Sequence, residues 1–173
     1  MELSRDVAAF VFDALVFVNM VDTTTFEQSV YIEAPIAIVD QTITDQRLMH
    51  QWLNPLLKCE PIGEWSSQMG SQTRFTIRIP FLYPTLRSQV IERQEGLVVW
   101  AFNGFFQGCD RWQCQPEISG TRLINQFEFC IENPLIAIGF QVFAAKLTRR
   151  DMQSQLQRLK QVAENQYAQS SSQ

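Results

Sequence analysis

The stretch GTRLINQFEFCI, residues 120–131, decides the fold class of this chain. Its apolar and polar side chains alternate, which is typical of a β-strand with one covered face and one solvated face. One amide, Asn125, falls among the apolar side chains of the covered face. The covered face carries Leu123, Asn125, Phe127, Phe129 and Ile131, and the solvated face carries Arg122, Gln126 and Glu128. The stretch therefore predicts a strand of an antiparallel sheet that packs against a core.

Upstream of this strand, the chain from residue 59 onward repeats the period of two between turn sequences. The turns contain Gly or Pro, as in Gln107-Gly108 and Ser119-Gly120, and leave only short links. Short links between strands predict an antiparallel meander. The predicted strands are Cys59–Trp65, Thr73–Ile79, Arg87–Arg93, Val98–Asn103, Asp110–Glu117 and Arg122–Ile131, preceded by an alternating strand at Phe26–Glu33.

Two short helices are predicted between the first strand and the meander. Ala34-Pro35 ends the strand, and proline suits the first turn of a helix that continues through Ile43. Thr44-Asp45 marks the start of a second helix, Gln46–Leu53. This helix ends before Asn54-Pro55, because a residue that precedes proline avoids helical geometry.

A long C-terminal helix is predicted to close the domain. It begins near Pro134, and its second half repeats Met152, Leu156, Leu159 and Ala163 at the spacing of one buried stripe. A bowed sheet of about seven strands needs this helix across its concave face. The space between sheet and helix fills with side chains or with a ligand. The domain is predicted at residues 23–167, followed by a polar tail at 168–173.

Four segments of the chain resemble the START-like superfamily, also called SRPBCC, which includes polyketide cyclases and dehydrases, lipid-transport domains and Bet v 1-like proteins. The segments are VYIEAPIAIVDQTITD at 30–45, Trp52 with Asn54-Pro55, GTRLINQFEF at 120–129 and LQRLKQVAEN at 156–165. The resemblance covers nearly the whole chain after residue 25. It implies an α+β helix-grip fold with a curved antiparallel sheet, two short helices and a long C-terminal helix. It names no function, because the superfamily carries many ligands and several chemistries.

The first 22 residues differ from the rest of the chain. Val7–Val18 reads VAAFVFDALVFV and is apolar on every helical face except at Asp13. It is shorter than the roughly 20 apolar residues of a membrane-spanning helix, and its flanks do not fit a signal peptide. Three interpretations stay open. The segment is an extra apolar helix packed on the domain, an anchor for a membrane surface or partner protein, or a stretch outside a native protein that starts at Met20.

The composition disfavours nucleic-acid and metal binding. A net charge of -4, with no basic run longer than Arg149-Arg150, lacks the basic face of a nucleic-acid binder. A zinc site usually needs four nitrogen or sulfur ligands at close spacing. The candidates here are the single His50 and four cysteines without a CxxC pair, Cys59, Cys109, Cys114 and Cys130. We expect no metal, no cofactor, no nucleic-acid partner, and reduced cysteines in a cytoplasmic protein, with peripheral membrane contact left open.

The ligand-binding candidates are aromatic and polar side chains that the predicted elements bring towards the concave face. They are Trp52, Arg87, Trp100, Phe102, Asn125, Phe127, Phe129 and Phe143. The rings either line a slot for an apolar molecule or fill the core, and Arg87 either faces inward or lies on a solvated strand face. The stretch IPFLYPTL places Phe81, Leu82 and Tyr83 in a loop, where they are predicted to form the mouth of the pocket.

No catalytic set is predicted. His50 has no carboxylate partner nearby in the sequence, and the acidic residues show no paired arrangement. Many relatives in the polyketide-cyclase-like branch carry His at the position of Asn125, and an amide is not a general base. This departure weakens the case for acid–base chemistry, so enzyme activity is left open and disfavoured.

Three functions fit these observations. The favoured one is binding or carrying a small hydrophobic molecule, such as a lipid, isoprenoid, pigment or polyketide, between the sheet and the C-terminal helix. The second is an enzyme of the polyketide cyclase, aromatase or dehydratase type. The third is a factor that docks to a membrane or protein through the N-terminal helix and the Phe81–Tyr83 loop, with an incidental cavity.

Overall fold

A computed structural model describes residues 23–78, 83–104, 106–131 and 145–171, with side chains from residue 148 onward in the last range. Within these ranges the chain forms seven strands and three helices. The strands are β1 (Thr24–Ile32), β2 (Leu57–Pro61), β3 (Gln72–Ile77), β4 (Thr85–Gln94), β5 (Leu97–Gly104), β6 (Gln107–Glu117) and β7 (Gly120–Cys130). The helices are α1 (Ile36–Thr44), α2 (Gln46–Trp52) and α3 (Ala145–Ser170).

The seven strands form one antiparallel sheet in the order β1-β7-β6-β5-β4-β3-β2. Strands β2 to β7 follow one another as a meander, as their short links predict. Strand β1 instead pairs with β7, from Thr24 opposite Phe129 to Ile32 opposite Thr121. The sheet, the two short helices and the long C-terminal helix confirm the predicted helix-grip architecture.

Strands β6 and β7 approach each other very closely at Gly108. This residue lies opposite Phe129 in the register of the two strands. A Cβ atom at Gly108 would collide with the backbone of Glu128 and Phe129. Only a residue without a side chain permits this approach, so glycine is required here.

The carboxylate of Asp40 fastens α1 to the β4–β5 hairpin. Its two oxygens accept hydrogen bonds from Arg93 at 2.8 and 2.6 Å. Its Oδ1 also accepts one from the backbone N–H of Gly96 at 3.0 Å. The side chains of Asp40 and Arg93 are only 13% and 15% exposed, so water screens this ion pair little.

A bulge in β4 allows Arg93 to reach α1. The register shifts between Val90 and Glu92, so that Val90 lies opposite Trp100 while Arg93 lies opposite Val98. One extra residue reverses the alternation of side chains along a strand. Val90 and Arg93 therefore lie on the same face of the sheet, although they are three residues apart.

The apolar stripe of α3 packs on the sheet as its spacing predicts. The stripe residues Met152, Leu156, Leu159 and Ala163 are all buried. The last three share a core cluster with α1, α2 and the sheet, in which the rings of Trp52 and Trp112 lie 5.3 Å apart. Met152 joins a second cluster that is built mainly from phenylalanine rings.

Several predicted boundaries differ from the structure by a few residues, and the ends of β2 and α3 are among them. Strand β2 ends at Pro61 rather than Trp65, because the chain turns at Gly63, whose φ is +91°. Helix α3 continues to Ser170, so the predicted tail from residue 168 is helical in its first part. The N-terminal extension (1–22) and the first half of the predicted long helix lie outside the described residues. None of the described helices is both long and apolar enough to cross a membrane.

Candidate functional site

One face of the sheet lies against α3, and we call it the inner face. It carries Val30, Leu123 and Trp112, which share a buried cluster with Leu156 and Leu159 of α3. Side chains alternate between the two faces of a sheet, and residues in register across strands share a face. The pairing register therefore shows which other side chains belong to the inner face.

Three side chains at the centre of the inner face keep some accessible surface. Trp100, Asp110 and Phe127 lie opposite one another on β5, β6 and β7, and each is partly accessible. Their inner-face neighbours on the same strands are buried, namely Val98, Phe102, Gly108, Trp112, Asn125 and Phe129. Accessible surface surrounded by buried side chains is typical of the wall of a hollow. We refer to Trp100, Asp110 and Phe127 as the central row.

The carboxylate of Asp110 is held by two donors from the inner face. Nε1 of Trp112 donates to Oδ2 of Asp110 at 2.8 Å. Nδ2 of Asn125 donates to Oδ1 of Asp110 at 2.6 Å and also contacts the carbonyl oxygen of Arg111 at 3.3 Å. Asp110 and Trp112 are two residues apart on β6, and Asn125 lies opposite Trp112. The register of β6 and β7 thus brings these three side chains together.

The surroundings of Asp110 shift its titration towards neutral pH. Burial raises the pKa of its carboxyl group from 3.8 to about 6, and the hydrogen bonds from Trp112 and Asn125 lower the pKa in part. Burial has the larger effect because a charged carboxylate loses its hydration in an apolar environment. Near pH 6 the group exchanges protons readily, which is the behaviour of a general acid or base.

Phenylalanine rings form an apolar wall on one side of Asp110. The rings of Phe102 and Phe127 stack with centroids 5.1 Å apart, and Phe106 contacts Phe102 edge-on at 5.5 Å. Phe129 lies 5.2 Å from Phe127 and 5.8 Å from Phe26. Such stacked and edge-on pairs add to the free energy of apolar burial. The wall is therefore chemically suited to flat or apolar molecules.

The structure brings together five of the residues that the sequence analysis assigned to a ligand site. They are Trp100, Phe102, Asn125, Phe127 and Phe129. Trp52 lies deeper in the core, where its Nε1 donates to the carbonyl oxygen of Thr42 at 2.9 Å and its ring packs on Trp112. Trp52 thus supports Trp112, which in turn donates to Asp110.

The structure does not bring Arg87 to this group. Arg87 is exposed on β4, opposite Arg74 and Asn103, which are also exposed. Its strand neighbour Ser88 is buried and pairs with Phe102, so the two residues point to opposite faces. Arg87 therefore lies on the solvated face of the sheet, and the interpretation that it faces inward as a ligand-binding group is wrong.

Most of the predicted pocket mouth, and the first half of the predicted C-terminal helix, lie outside the described part of the chain. Phe81, Leu82 and Phe143 lie outside the described residues. Tyr83 is 66% exposed, just before β4. It is therefore available at the surface, at the end of the sheet where the β3–β4 connection lies.

Asp110 and Trp112 are site residues that the sequence analysis missed. The predicted strand Asp110–Glu117 contained both of them, but Asp110 is a charged residue at the predicted start of the strand, where burial is not expected. The available signal was Trp112, a large ring two residues from a carboxylate and hence on the same face. Arg111, between them, lies on the other face and forms an ion pair with Glu92 at 2.9 Å.

The remaining reactive side chains offer little chemistry. His50 is exposed, and its Nε2 lies 3.2 Å from the carbonyl oxygen of Cys59. Burial raises the pKa of the Cys59 and Cys114 thiols to about 12 and that of Cys109 to about 11. These thiols stay protonated at neutral pH and are weak nucleophiles. In the described ranges, no three His, Cys, Asp or Glu side chains converge as metal ligands.

A shallow depression of about 380 Å³ lies at the β6–β7 turn, away from Asp110. It is lined by Tyr31, Glu117, Ile118 and Ser119. Glu117, Ile118 and Ser119 are all exposed, so a molecule in this depression would remain largely in water. The central row, by contrast, combines aromatic rings with a titratable group, and we place the candidate site there.

The sequence matches the model of the family described as polyketide cyclase / dehydrase and lipid transport over residues 23–164. No curated protein matches the chain.

Solved structures share the fold at low sequence identity. TTHA0849 from Thermus thermophilus has a TM-score of 0.68 and 17% identity, over 81% of this chain and 97% of that protein. The Zhui aromatase/cyclase from Streptomyces sp. R1128 has a TM-score of 0.65 and 15% identity, over 82% and 94%. Ara h 8.0201 has a TM-score of 0.60 and 11% identity, over 85% and 99%. At these identities the likeness establishes the architecture alone.

Proposed function

Because the chain belongs to the polyketide cyclase / dehydrase and lipid transport family, we propose that it binds a small, mainly apolar molecule against the inner face of its sheet. One observation carries the proposal. The central row keeps accessible surface, although its inner-face neighbours along β5, β6 and β7 are buried. A face that only filled the core would bury these side chains as fully as their neighbours.

Affinity in such a site comes chiefly from removing apolar surface from water. Each Å² of apolar surface that is buried contributes about 25 cal/mol, and the ordering of ligand and side chains offsets part of this gain. Trp100, Phe102 and Phe127 supply flat apolar surface around the central row. They favour rings and unsaturated chains over polar metabolites.

Asp110 supplies the polar end of the proposed site. Trp112 and Asn125 each donate to one of its oxygens, and each oxygen retains a further lone pair. Above its pKa of about 6, Asp110 presents acceptors only. The bound molecule is therefore proposed to place a hydroxyl, amine or other hydrogen-bond donor at this end.

Native mass spectrometry of the freshly purified protein tests the proposal. We expect a mass increment from a retained molecule, which solvent extraction releases and identifies as predominantly apolar. The variant Phe127→Leu should retain less of it, because a stacked ring of the wall is lost. The control is Ile124→Leu, an exchange of apolar side chains on the opposite face of β7. Equal retention in both variants, or no retained molecule, contradicts the proposal.

A second candidate function, catalysis of proton transfer, is favoured by the raised pKa of Asp110 alone. The carboxylate would remove the proton next to a bound carbonyl group and return it after the enolate has rearranged. The test follows 1-tetralone by NMR in deuterated water. We expect the signal of the protons next to its carbonyl to disappear faster with the wild-type protein than with Asp110→Asn. The control Glu128→Gln, on the opposite face of β7, should behave as wild type.

A further inference from the structure

We propose that Ser88 and Thr73 form a second polar subsite on the inner face, so that the bound molecule carries a polar group at each end. This inference rests on the proposed binding function and specifies the chemistry of its ligand. Ser88 lies opposite Thr73 across β4 and β3, and opposite Phe102 across β4 and β5. Its place beside Phe102 assigns the pair to the inner face.

The two hydroxyl groups are buried without an ordinary hydrogen-bond partner. Ser88 is 2% exposed and Thr73 is 6% exposed, and neither hydroxyl oxygen has an oxygen or nitrogen partner. The Thr73 hydroxyl lies beside the Cys59 thiol, which is a weak hydrogen-bonding group. A buried hydroxyl that loses its water partners and gains no replacement is destabilising.

The other buried polar side chains in the described part of the chain show how unusual this pair is. Thr42, Thr44 and Thr121 each donate a hydrogen bond to a backbone carbonyl oxygen, at 2.7, 2.8 and 2.7 Å. Gln89 donates to the carbonyl oxygen of Gly70, and Asn125 donates to Asp110. Ser88 and Thr73 are the exceptions in this set, and they lie side by side on the same face of the sheet. Two adjacent buried hydroxyls, of which one has no partner and the other only a thiol, are the arrangement expected of a subsite that a ligand completes.

The subsite and Asp110 lie at opposite ends of the same aromatic surface. Ser88 is two strands from β6, and its row across the sheet meets β6 at Gly108, two residues from Asp110. Strands are about 4.8 Å apart and rise about 3.4 Å per residue, which gives a span of roughly 12 Å before curvature. Trp100 and Phe102 lie between the two ends. A molecule that reaches both ends therefore lies across these rings.

The two ends present different hydrogen-bonding groups. At the Asp110 end, both carboxylate oxygens accept hydrogen bonds, one from Trp112 and one from Asn125. Oxygen acceptors thus dominate at this end, and they select a donor group. The Ser88 and Thr73 hydroxyls both donate and accept, so they take a hydroxyl or a carbonyl oxygen. The ligand class is an elongated, largely flat apolar molecule with a donor at one end and an oxygen function at the other.

Two small probes test the inference with the full-length protein. The first is 4,4′-dihydroxybiphenyl, which carries a hydroxyl at each end of a rigid apolar body of about the required length. The second is 4-hydroxybiphenyl, which lacks one of the hydroxyls. Binding is measured by calorimetry and by tryptophan fluorescence. The variants are Ser88→Ala and Thr73→Val, each made singly, and the controls are Ser29→Ala and Thr76→Val on the opposite face.

We expect the wild-type protein to bind the dihydroxy probe about tenfold more tightly than the monohydroxy probe, the value of one good hydrogen bond. This ratio should fall towards one in Ser88→Ala and in Thr73→Val, and it should be kept in both controls. Both variants remove a hydroxyl without an oxygen or nitrogen partner and nearly conserve volume, so unfolding curves should show intact folding. Either variant alone suffices if the other fails to fold.

Different results would contradict the proposed subsite and the proposed binding function. A ratio near one in the wild-type protein, or an unchanged ratio in a folded variant, overturns the subsite and leaves apolar binding in place. It would mean that trapped water, rather than ligand, satisfies the two hydroxyls. If neither probe binds and the purified protein retains no molecule, the binding function itself fails.

Discussion

Nδ2 of Asn125 donates a hydrogen bond of 2.6 Å to Oδ1 of Asp110, and this bond joins two polar side chains of the inner face. Asn125 is only 2% exposed and does not titrate. Asp110 is therefore the group of this pair that can change charge. The titration of Asp110 therefore reports most directly on the environment of the candidate site.

Asp110→Asn should remove a pH dependence of stability. The folded-state pKa of about 6 is raised above the ordinary 3.8, so the folded protein binds more protons between these values. The contribution of this group to the free energy of unfolding is therefore full below pH 4. This contribution falls as pH rises and is gone above about pH 6. The total loss in the free energy of unfolding is up to about 3 kcal/mol. Urea unfolding from pH 4 to 7.5 measures it.

We expect the stability of Asp110→Asn relative to wild type to increase over this pH range. The pH dependence of stability, compared between the variant and the wild type, reports the titration of Asp110. A difference in stability at a single pH would also contain the effect of the altered hydrogen bonds. Glu128→Gln, on the opposite face, serves as the control. Parallel curves for the wild-type protein and Asp110→Asn would show that Asp110 titrates normally.

Trp112→Phe should raise the pKa of Asp110 above 6. The indole N–H donates to Oδ2 at 2.8 Å and favours the charged carboxylate, so its loss favours the protonated form. Carbon-13 NMR of the labelled carboxyl group measures the titration directly. Trp65→Phe is the matched control, since the Nε1 of Trp65 donates instead to the carbonyl oxygen of Thr44. An unchanged titration in Trp112→Phe would contradict the proposed hydrogen bond.

Asp40→Ala should destabilise the fold by about 3 kcal/mol or more, because it leaves the guanidinium of Arg93 largely buried and unpaired. Chemical unfolding at neutral pH measures the loss. The comparison variant is Glu117→Ala, which breaks the more exposed ion pair with Arg122 and should cost less than about 1 kcal/mol. Equal losses in the two variants would mean that the Asp40 clamp contributes no more than a surface pair.

Gly108→Ala should destabilise the sheet by about 3 kcal/mol or more, because the new methyl group forces β6 and β7 apart. Gly63→Ala tests a different cost, since Gly63 has φ +91° but open space around its Cβ position. We expect a loss of about 1 kcal/mol there, from backbone strain alone. A small loss in Gly108→Ala would show that the two strands separate easily.

The sequence predicted the order of the elements well, because alternation and turn residues are local signals. Leu123, Phe127 and Phe129 follow the alternation of β7, and the α3 stripe from Met152 to Ala163 follows helical spacing. Both signals depend only on residues a few positions apart. The resemblance of segments such as 30–45 and 120–129 to the family added the helix-grip arrangement.

The site was only partly predictable, because its burial depends on long-range register. Asp110 is a charged residue at the predicted start of its strand, and only its pairing with Trp100 and Phe127 places it among rings. On β4, the bulge after Val90 reverses the alternation of side chains between the two faces. No residue type in the sequence predicts this bulge. This is one reason why the side of the sheet that Arg87 faces could not be decided from the sequence.

The pairing of β1 with β7 has a consequence for the newly made chain. Thr24 finds its partner Phe129 only after about a hundred further residues have been synthesised. Until then the apolar side of β1 has no strand beside it on the nascent polypeptide. Contacts so distant along the chain slow folding, since a long loop must close before they form. Premature termination before β7 would leave a product unable to shield its own apolar surface, and thus a substrate for chaperones and proteases.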